Sequence, residues 1–262
     1  MKKLIGGLVA GAMFAFAAAT AQAADTVKFG VAAEPYPPFS EKNAAGEWVG
    51  FEMDLYRAVC EAEKMNCELV EVAWDGIIPA LQEKKIDVIW SSMTITDERK
   101  KVVEFTNMYY DSANVLIGAA SDDAKPDIEH PDVLKGKVIG VQTSTIHANF
   151  IQKYFGKDSE VKLYDTLDNA LADLKAGRVD YVSESTSSLE PFLKANPDFA
   201  VKATWPQDPI FGEGVGGGVR KGDDALRDKL NAGIAAVVKS GKYEELLKNY
   251  PGLGEQITKP QS

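Results

Sequence analysis

Residues Lys84–Arg99 read KKIDVIWSSMTITDER, a segment that combines a strand, a polar turn and a helix start. Its apolar part, IDVI, is typical of a short strand buried in a sheet. Ser91, Ser92 and Thr94 place hydroxyl groups at the end of that strand, and the following TD pair is typical of a helix N-cap. Strand-like and helical segments alternate in this way along nearly the whole chain. This alternation predicts an α/β protein with mainly parallel sheets flanked by helices.

Arg99 falls in the first turn of the helix that this stretch predicts. A guanidinium is a planar fork that matches a carboxylate, and the free N–H groups of a helix N-terminus also attract anions. We therefore interpret Ser91, Ser92, Thr94 and Arg99 as a carboxylate-binding turn. An ordinary N-cap followed by a solvated arginine is the alternative that stays open at this point.

A second turn of the same kind follows the strand-like segment KVIGV, where residues 142–145 read QTST. Ligands of open α/β sheets bind at the carboxyl ends of strands, so Thr145 is a candidate ligand residue, with a simple N-cap as the alternative. An acidic, turn-rich segment separates the two series of strands and helices. The sequence thus predicts two lobes, with lobe 1 formed by 24–112 and 212–262 and lobe 2 by 113–211.

Two aromatic residues follow strand ends near the predicted carboxylate site. Tyr36 lies in the proline-rich loop EPYPPF, and Trp74 begins a predicted helix. They are candidates to enclose a ligand side chain or its cationic group, although burial in a core is the usual place for a tryptophan. Glu34 is a candidate partner for a positive ligand group, with a solvated glutamate as the alternative.

The N-terminus predicts export. Lys2 and Lys3 precede an apolar run and an A-x-A site that ends at Ala23, so residues 1–23 are predicted to be a cleaved signal peptide. The formal net charge of −10 disfavours nucleic acid as a partner. In an exported protein, Cys60 and Cys67 are candidates for a disulfide that joins the end of a helix to the next strand.

The histidines predict neither a metal centre nor a His-based catalytic triad. There are two in the chain, His130 and His147, they lie far apart, and neither belongs to a ligand motif. We therefore expect no metal, no cofactor and no catalytic residue.

Several motifs then occur in a recognisable order: EPYPPF, GFEMDL at 50–55, WDGIIPAL, the QTST turn and AGRVD. With them the chain resembles the periplasmic polar-amino-acid-binding proteins of ABC importers, the group that includes histidine and lysine/arginine/ornithine receptors. The resemblance implies a two-lobed periplasmic protein with two crossover strands, which binds an amino acid or a derivative between its lobes and delivers it to a membrane permease. Cys60 and Cys67 resemble a disulfide pair of some basic-amino-acid receptors. A monomer is the default expectation.

The resemblance also implies a role for each candidate residue. Arg99 holds the ligand α-carboxylate, with help from Thr94 and Thr145. Ser92 and the backbone near Ser91 take part in holding the α-amino group. The two aromatic residues named above flank the ligand side chain.

One residue departs from the family pattern. Ser185 stands where the family usually has an aspartate that pairs with the ligand ammonium, and Glu184 is beside it. Because a serine supplies no charge, we hypothesise that the ligand amine is substituted or absent, as in an opine-like derivative. The alternative is that Glu184 replaces the aspartate. Strand alternation puts Glu184 on the face opposite Ser185 and so favours the substituted amine.

Two other functions fit the same resemblance. A cyclohexadienyl-dehydratase-like lyase on this fold would need a carboxylic acid of raised pKa in the cleft, for which Glu34 and Glu184 are the candidates. A ligand-sensing partner of a chemoreceptor or sensor kinase would use the same closing lobes. The sequence alone does not separate sensing from import.

Overall fold

The computed structural model describes residues 26–260, so the predicted signal peptide at 1–23 lies outside the described residues. The strands of the two main sheets are β1 (Val27–Ala32), β4 (Cys67–Val72), β5 (Val88–Ile89), β6 (Val103–Phe105), β8 (Asn114–Ala119), β9 (Val138–Gln142), β10 (Glu160–Tyr164), β11 (Tyr181–Ser185), β12 (Phe199–Thr204) and β13 (Gly218–Arg220). Four shorter strands are β2 (Glu41–Lys42), β3 (Trp48–Val49), β7 (Asp111–Ser112) and β14 (Ile257–Thr258). The α-helices are α1 (Phe51–Ala62), α2 (Ile77–Gln82), α3 (Asp97–Lys100), α4 (Ile146–Tyr154), α5 (Leu167–Lys175), α6 (Thr186–Ala195), α7 (Asp224–Lys239), α8 (Lys242–Leu247) and α9 (Leu253–Gln256).

The main strands form two five-stranded sheets of the same design. The first has the order β4-β1-β5-β13-β6 and the second the order β10-β9-β11-β8-β12. In each sheet one strand, β13 or β8, pairs antiparallel with both neighbours, and the other four run in one direction. The predicted two-lobed α/β fold with mainly parallel sheets is therefore confirmed. We call the bodies built on the first and second sheets lobe 1 and lobe 2.

The two inverted strands follow the places where the chain passes between the lobes. The two passages run side by side, because Val215 forms isolated bridges with both Tyr110 and Thr94. Gly212 and Gly214 have φ angles of +65° and +88°, and a Cβ on Gly212 would lie 2.1 Å from a backbone oxygen of lobe 1. Only glycine fits this close approach. The lobe boundaries given above stay a prediction.

Each lobe has its own core. In lobe 1, Trp90 stacks on Tyr109 with ring centroids 4.5 Å apart and meets Phe29 edge to face. In lobe 2, Phe150 stacks on Phe211 at 4.5 Å. The predicted disulfide is present between Cys60, at the end of α1, and Cys67, at the start of β4. Within residues 26–260, no helix is both long enough and apolar enough to cross a membrane.

Candidate functional site

A cleft lies between the lobes, where β1, β4, β5, β9 and β11 end. The structure brings all ten candidate residues to this one cleft: Glu34, Tyr36, Trp74, Ser91, Ser92, Thr94, Arg99, Thr145, Glu184 and Ser185. Lining residues that the sequence analysis did not select include Tyr110, Asp111, Asn114, Gln142 and His147. The candidate site therefore takes groups from both sheets and from the passages between them.

Arg99 reaches across the cleft from lobe 1. It is held in the short helix α3, where the Thr96 hydroxyl accepts from its backbone N–H at 3.2 Å. Nη1 donates to the carbonyl oxygen of Thr94 at 3.0 Å, and Nη2 donates to that of Ser144 in lobe 2 at 3.3 Å. Burial lowers the pKa of Arg99 to about 10, so the guanidinium stays charged at neutral pH. No carboxylate of the described residues pairs with it, which leaves its charge available to a ligand anion.

Trp74 and Glu34 form one side of the cleft next to Arg99. The Arg99 Cζ lies 5.5 Å from the centroid of the Trp74 ring, a cation–π distance. Glu34 accepts from the backbone N–H of Trp74, with the shorter contact at 3.1 Å. Glu34 thus fixes the aromatic residue in addition to placing a carboxylate at the cleft.

Ser91 and Ser92, which follow β5, are fixed by hydrogen bonds to Ala32 and Glu52. The Ser91 hydroxyl accepts from the backbone N–H of Ala32 at 2.9 Å. Ser92, whose φ is +52°, donates both its N–H and its hydroxyl to the buried Glu52. A non-glycine residue in this left-handed region needs such support, because the conformation is otherwise unfavourable.

The lobe 2 turn is an N-cap, as the alternative reading of the QTST sequence proposes. The Thr145 hydroxyl accepts from Ala148 N–H at 3.1 Å and donates to the Gln142 carbonyl at 2.7 Å. Its hydroxyl proton is therefore used inside lobe 2. The groups that this turn offers an anion are the backbone N–H groups that begin α4.

Glu184 is the centre of a buried polar cluster on the lobe 2 wall. Its Oε1 accepts from Tyr36 Oη and from Ser185 N–H, each at 2.9 Å, and lies 2.6 Å from His147 Nε2. Burial raises the pKa of Glu184, but the charge of His147 and the donated hydrogen bonds outweigh it and lower the pKa overall. Within residues 26–260, no hydrogen bond to Oε2 is found. The second carboxylate oxygen is thus available at the cleft.

Strand alternation holds between Ser183 and Glu184 but fails at Ser185, so the expectation that Glu184 faces away from the cleft is wrong. Ser183 points into lobe 2, where it bonds to Val115 and Trp205, yet both Glu184 and Ser185 line the cleft. The alternation ends because Ser185 is both the last residue of β11 and the N-cap of α6. Its hydroxyl lies 3.1 Å from Tyr36 Oη and 2.7 Å from Ser188 Oγ.

His147 is the main residue that the sequence analysis missed. It belongs to no ligand motif, but it is almost completely buried and pairs with Glu184 at the cleft. Its other ring nitrogen, Nδ1, has no partner within residues 26–260. The available signal was its place two residues after Thr145, in the first turn of a helix that faces the cleft. No group of three or more metal-ligating side chains is found in the described part of the chain.

Comparisons with known proteins all point to one family. A model of the bacterial extracellular solute-binding proteins, family 3, matches residues 27–253. The chain is 41% identical over 260 residues to the L-arginine-binding protein of Pseudomonas aeruginosa, covering 95% of this chain and 96% of that protein. It is 37% identical over 257 residues to the histidine-binding periplasmic protein of Escherichia coli, covering 95% and 97%. The solved structure of an ancestral arginine-binding protein bound to arginine matches with a TM-score of 0.78 at 33% identity, covering 87% of this chain and 98% of that one.

Proposed function

Because the chain belongs to the bacterial extracellular solute-binding proteins of family 3, we propose that its cleft binds one amino acid and delivers it to the permease of an ABC importer. The observation that carries this proposal is the pairing of two unlike groups across the cleft. Arg99 offers an unpaired cation from lobe 1, and Glu184 offers a free carboxylate oxygen from lobe 2. An α-amino acid carries the complementary carboxylate and ammonium on a single carbon atom, Cα.

The ligand we propose first is an amino acid with a cationic side chain, such as arginine. The cleft contains the carboxylates of Glu34, Asp111 and Glu184 against the guanidinium of Arg99, with the His147 imidazole next to Glu184. After Arg99 binds the α-carboxylate and Glu184 binds the α-ammonium, acidic groups remain for a positive side chain. Two of the relatives described above are arginine-binding proteins, which supports this choice.

A primary ammonium also fits the lobe 2 wall. The hypothesis of a substituted amine depends on Glu184 pointing away from the ligand, and Glu184 instead lines the cleft. Ser185, which carries no charge, is hydrogen-bonded to Tyr36 and Ser188. A charge-assisted hydrogen bond from the ligand ammonium to Glu184 Oε2 is stronger than one to a hydroxyl.

The surroundings of Glu184 argue against the lyase alternative. A general acid needs a pKa raised toward neutrality, whereas the surroundings of Glu184 lower its pKa. Glu34, the other candidate acid, accepts a hydrogen bond from the backbone N–H of Trp74. We therefore propose a receptor without catalysis. A sensing role through a chemoreceptor or kinase uses the same binding step and is compatible with this proposal.

The test is a thermal-shift screen followed by calorimetry of protein refolded free of ligand. The panel contains L-arginine, L-lysine, L-ornithine, L-histidine, Nα-substituted arginine derivatives and prephenate. A ligand at 100 times its dissociation constant stabilises the folded protein by about 2.7 kcal/mol, which gives a clear shift. We expect a basic L-amino acid to give the largest shift. A response confined to Nα-substituted compounds would restore the substituted-amine hypothesis, and turnover of prephenate would contradict the receptor.

A further inference from the structure

Glu52 does not line the cleft, but its carboxylate is hydrogen-bonded to Ser92, which does. It is the second residue of α1 and is completely buried. Its Oε1 accepts the backbone N–H of Ser92 at 2.7 Å, and its Oε2 accepts the Ser92 hydroxyl at 2.8 Å. Tyr109 also donates to Oε1. A buried carboxylate is tolerated only with such partners, because an unpaired buried charge is costly.

These contacts fit the ionised form of Glu52. All three neighbouring groups are donors, so the carboxylate is the acceptor in each hydrogen bond. Its place in the first turn of α1 puts it at the positive end of the helix dipole. Burial raises the pKa of Glu52, and the hydrogen bonds from Tyr109 and Ser92 offset that rise only in part.

These hydrogen bonds determine what the Ser92 hydroxyl can offer to a ligand. Both of its donors, the N–H and the hydroxyl proton, are used by Glu52, so the hydroxyl presents only lone pairs to the cleft. Arg99, on the same lobe, presents only N–H donors. The lobe 1 wall is thereby divided into a part that accepts hydrogen bonds and a part that donates them.

We infer that Glu52 is a positioning residue that fixes the Ser92 hydroxyl as an acceptor for the amino group of the ligand. This inference rests on the proposed function and extends it, since recognition of the amine is then shared by both lobes. Glu52 touches no ligand atom and acts through Ser92. Without the carboxylate, the Ser92 hydroxyl is free to rotate and to donate.

The test compares two ligands that differ only in the amine. The probes are L-arginine and 5-guanidinopentanoic acid, in which hydrogen replaces the amino group, and both are titrated by calorimetry. In Glu52→Gln the side chain keeps its shape but exchanges one acceptor oxygen for a donor NH2. We expect this variant to bind L-arginine roughly tenfold more weakly, from the loss of one oriented hydrogen bond, and the deaminated compound unchanged. A purely structural role would weaken both ligands equally.

A second variant, Ser92→Gly, tests the same role without changing Glu52. Glycine adopts the φ of +52° at position 92 without strain, so Ser92→Gly is expected to fold while lacking the hydroxyl. It should show the same selective loss for L-arginine. Adding Glu52→Gln to Ser92→Gly should then cause little further loss, because both changes act on one hydroxyl. Glu61→Gln, an exposed residue of the same helix, is the matched control and should bind both probes as the wild type does.

The outcomes separate this inference from the proposed function. A wild-type protein that binds neither probe contradicts the proposed arginine ligand and this inference together. Equal loss of both probes in Glu52→Gln, or independent losses in the double variant, overturns the role of Glu52 and leaves the proposed function intact. Equal wild-type affinity for the two probes also overturns the inference, since the amine then contributes nothing.

Discussion

At the scale of the residue, Arg99 is the clearest determinant of the proposed binding. Its guanidinium bridges the lobes through two backbone oxygens and keeps further N–H groups for a carboxylate. In Arg99→Lys the positive charge stays but the planar fork is lost. We expect the dissociation constant of L-arginine to rise about 10- to 100-fold, with a smaller loss of stability from the weakened backbone hydrogen bonds.

Calorimetry and urea unfolding measure these two effects in parallel. Arg227→Lys is the matched control, because Arg227 pairs with carboxylates on the surface of α7 and lines no part of the cleft. Undiminished affinity in Arg99→Lys would show that the ligand carboxylate binds elsewhere.

Glu184 gives a pH-dependent prediction at the same scale. Its pKa is lowered in the folded protein from an ordinary 4.5, so its contribution to stability is present above that pH and is lost as the pH falls through the folded value. Glu184→Gln leaves His147 buried without its ion-pair partner, and we expect a loss of about 3 kcal/mol at pH 7. The difference in unfolding free energy between wild type and variant should shrink below pH 4.5.

Urea titrations from pH 3 to 7 follow this difference. Glu190→Gln removes a carboxylate from a more exposed pair with Lys194 on α6, and it should cost little at any pH. A difference for Glu184→Gln that stays constant with pH would contradict the assigned ionisation.

At the scale of the element, the disulfide ties α1 to β4 at the edge of lobe 1. Cys60 and Cys67 are 7 residues apart in sequence, and neither lines the cleft. Closing so short a loop is expected to stabilise the protein by about 2 to 3 kcal/mol through the unfolded state. Reduction, or replacement of both cysteines by serine, should lower the unfolding free energy by that amount and leave ligand affinity unchanged. Urea unfolding with and without reductant measures the first effect, and a tenfold change in affinity would contradict the second.

Local sequence patterns predict some residues of the site and not others. Strand ends and N-caps such as the WSSMTITDER and QTST turns are local patterns, so the sequence located Arg99 and Thr145 at the cleft. The orientation of Ser185 depends on where β11 stops and α6 begins, which alternation does not reveal. His147 and Glu52 act through contacts with Glu184 and Ser92, which are distant in sequence. Such long-range pairings have no local signal.

At the scale of the whole molecule, Tyr36 links the lobes through its hydroxyl. It donates to Glu184 and lies within hydrogen-bond distance of Ser185, so lobe 1 contacts lobe 2 directly. In Tyr36→Phe this link is lost while the ring remains. We expect the ligand-free equilibrium to shift toward open lobes by roughly fivefold, the effect of about one hydrogen bond.

Small-angle X-ray scattering measures that shift as a larger radius of gyration of the ligand-free variant. Saturation with ligand should restore the wild-type value, because only a ligand that contacts both lobes favours closure. Tyr250→Phe is the matched control, since that hydroxyl bonds to Asp54 inside lobe 1. Identical scattering of ligand-free wild type and Tyr36→Phe would contradict a role for Tyr36 in closure.

We propose that one amino acid spans the cleft between Arg99 and Glu184. A crystal structure of the wild-type protein grown with L-arginine would show whether it does. We predict that the ligand carboxylate accepts from the Arg99 guanidinium and that its amino group donates to Glu184 Oε2 and Ser92 Oγ. A ligand whose amino group meets neither Glu184 nor Ser92, or whose carboxylate lies away from Arg99, would contradict the account.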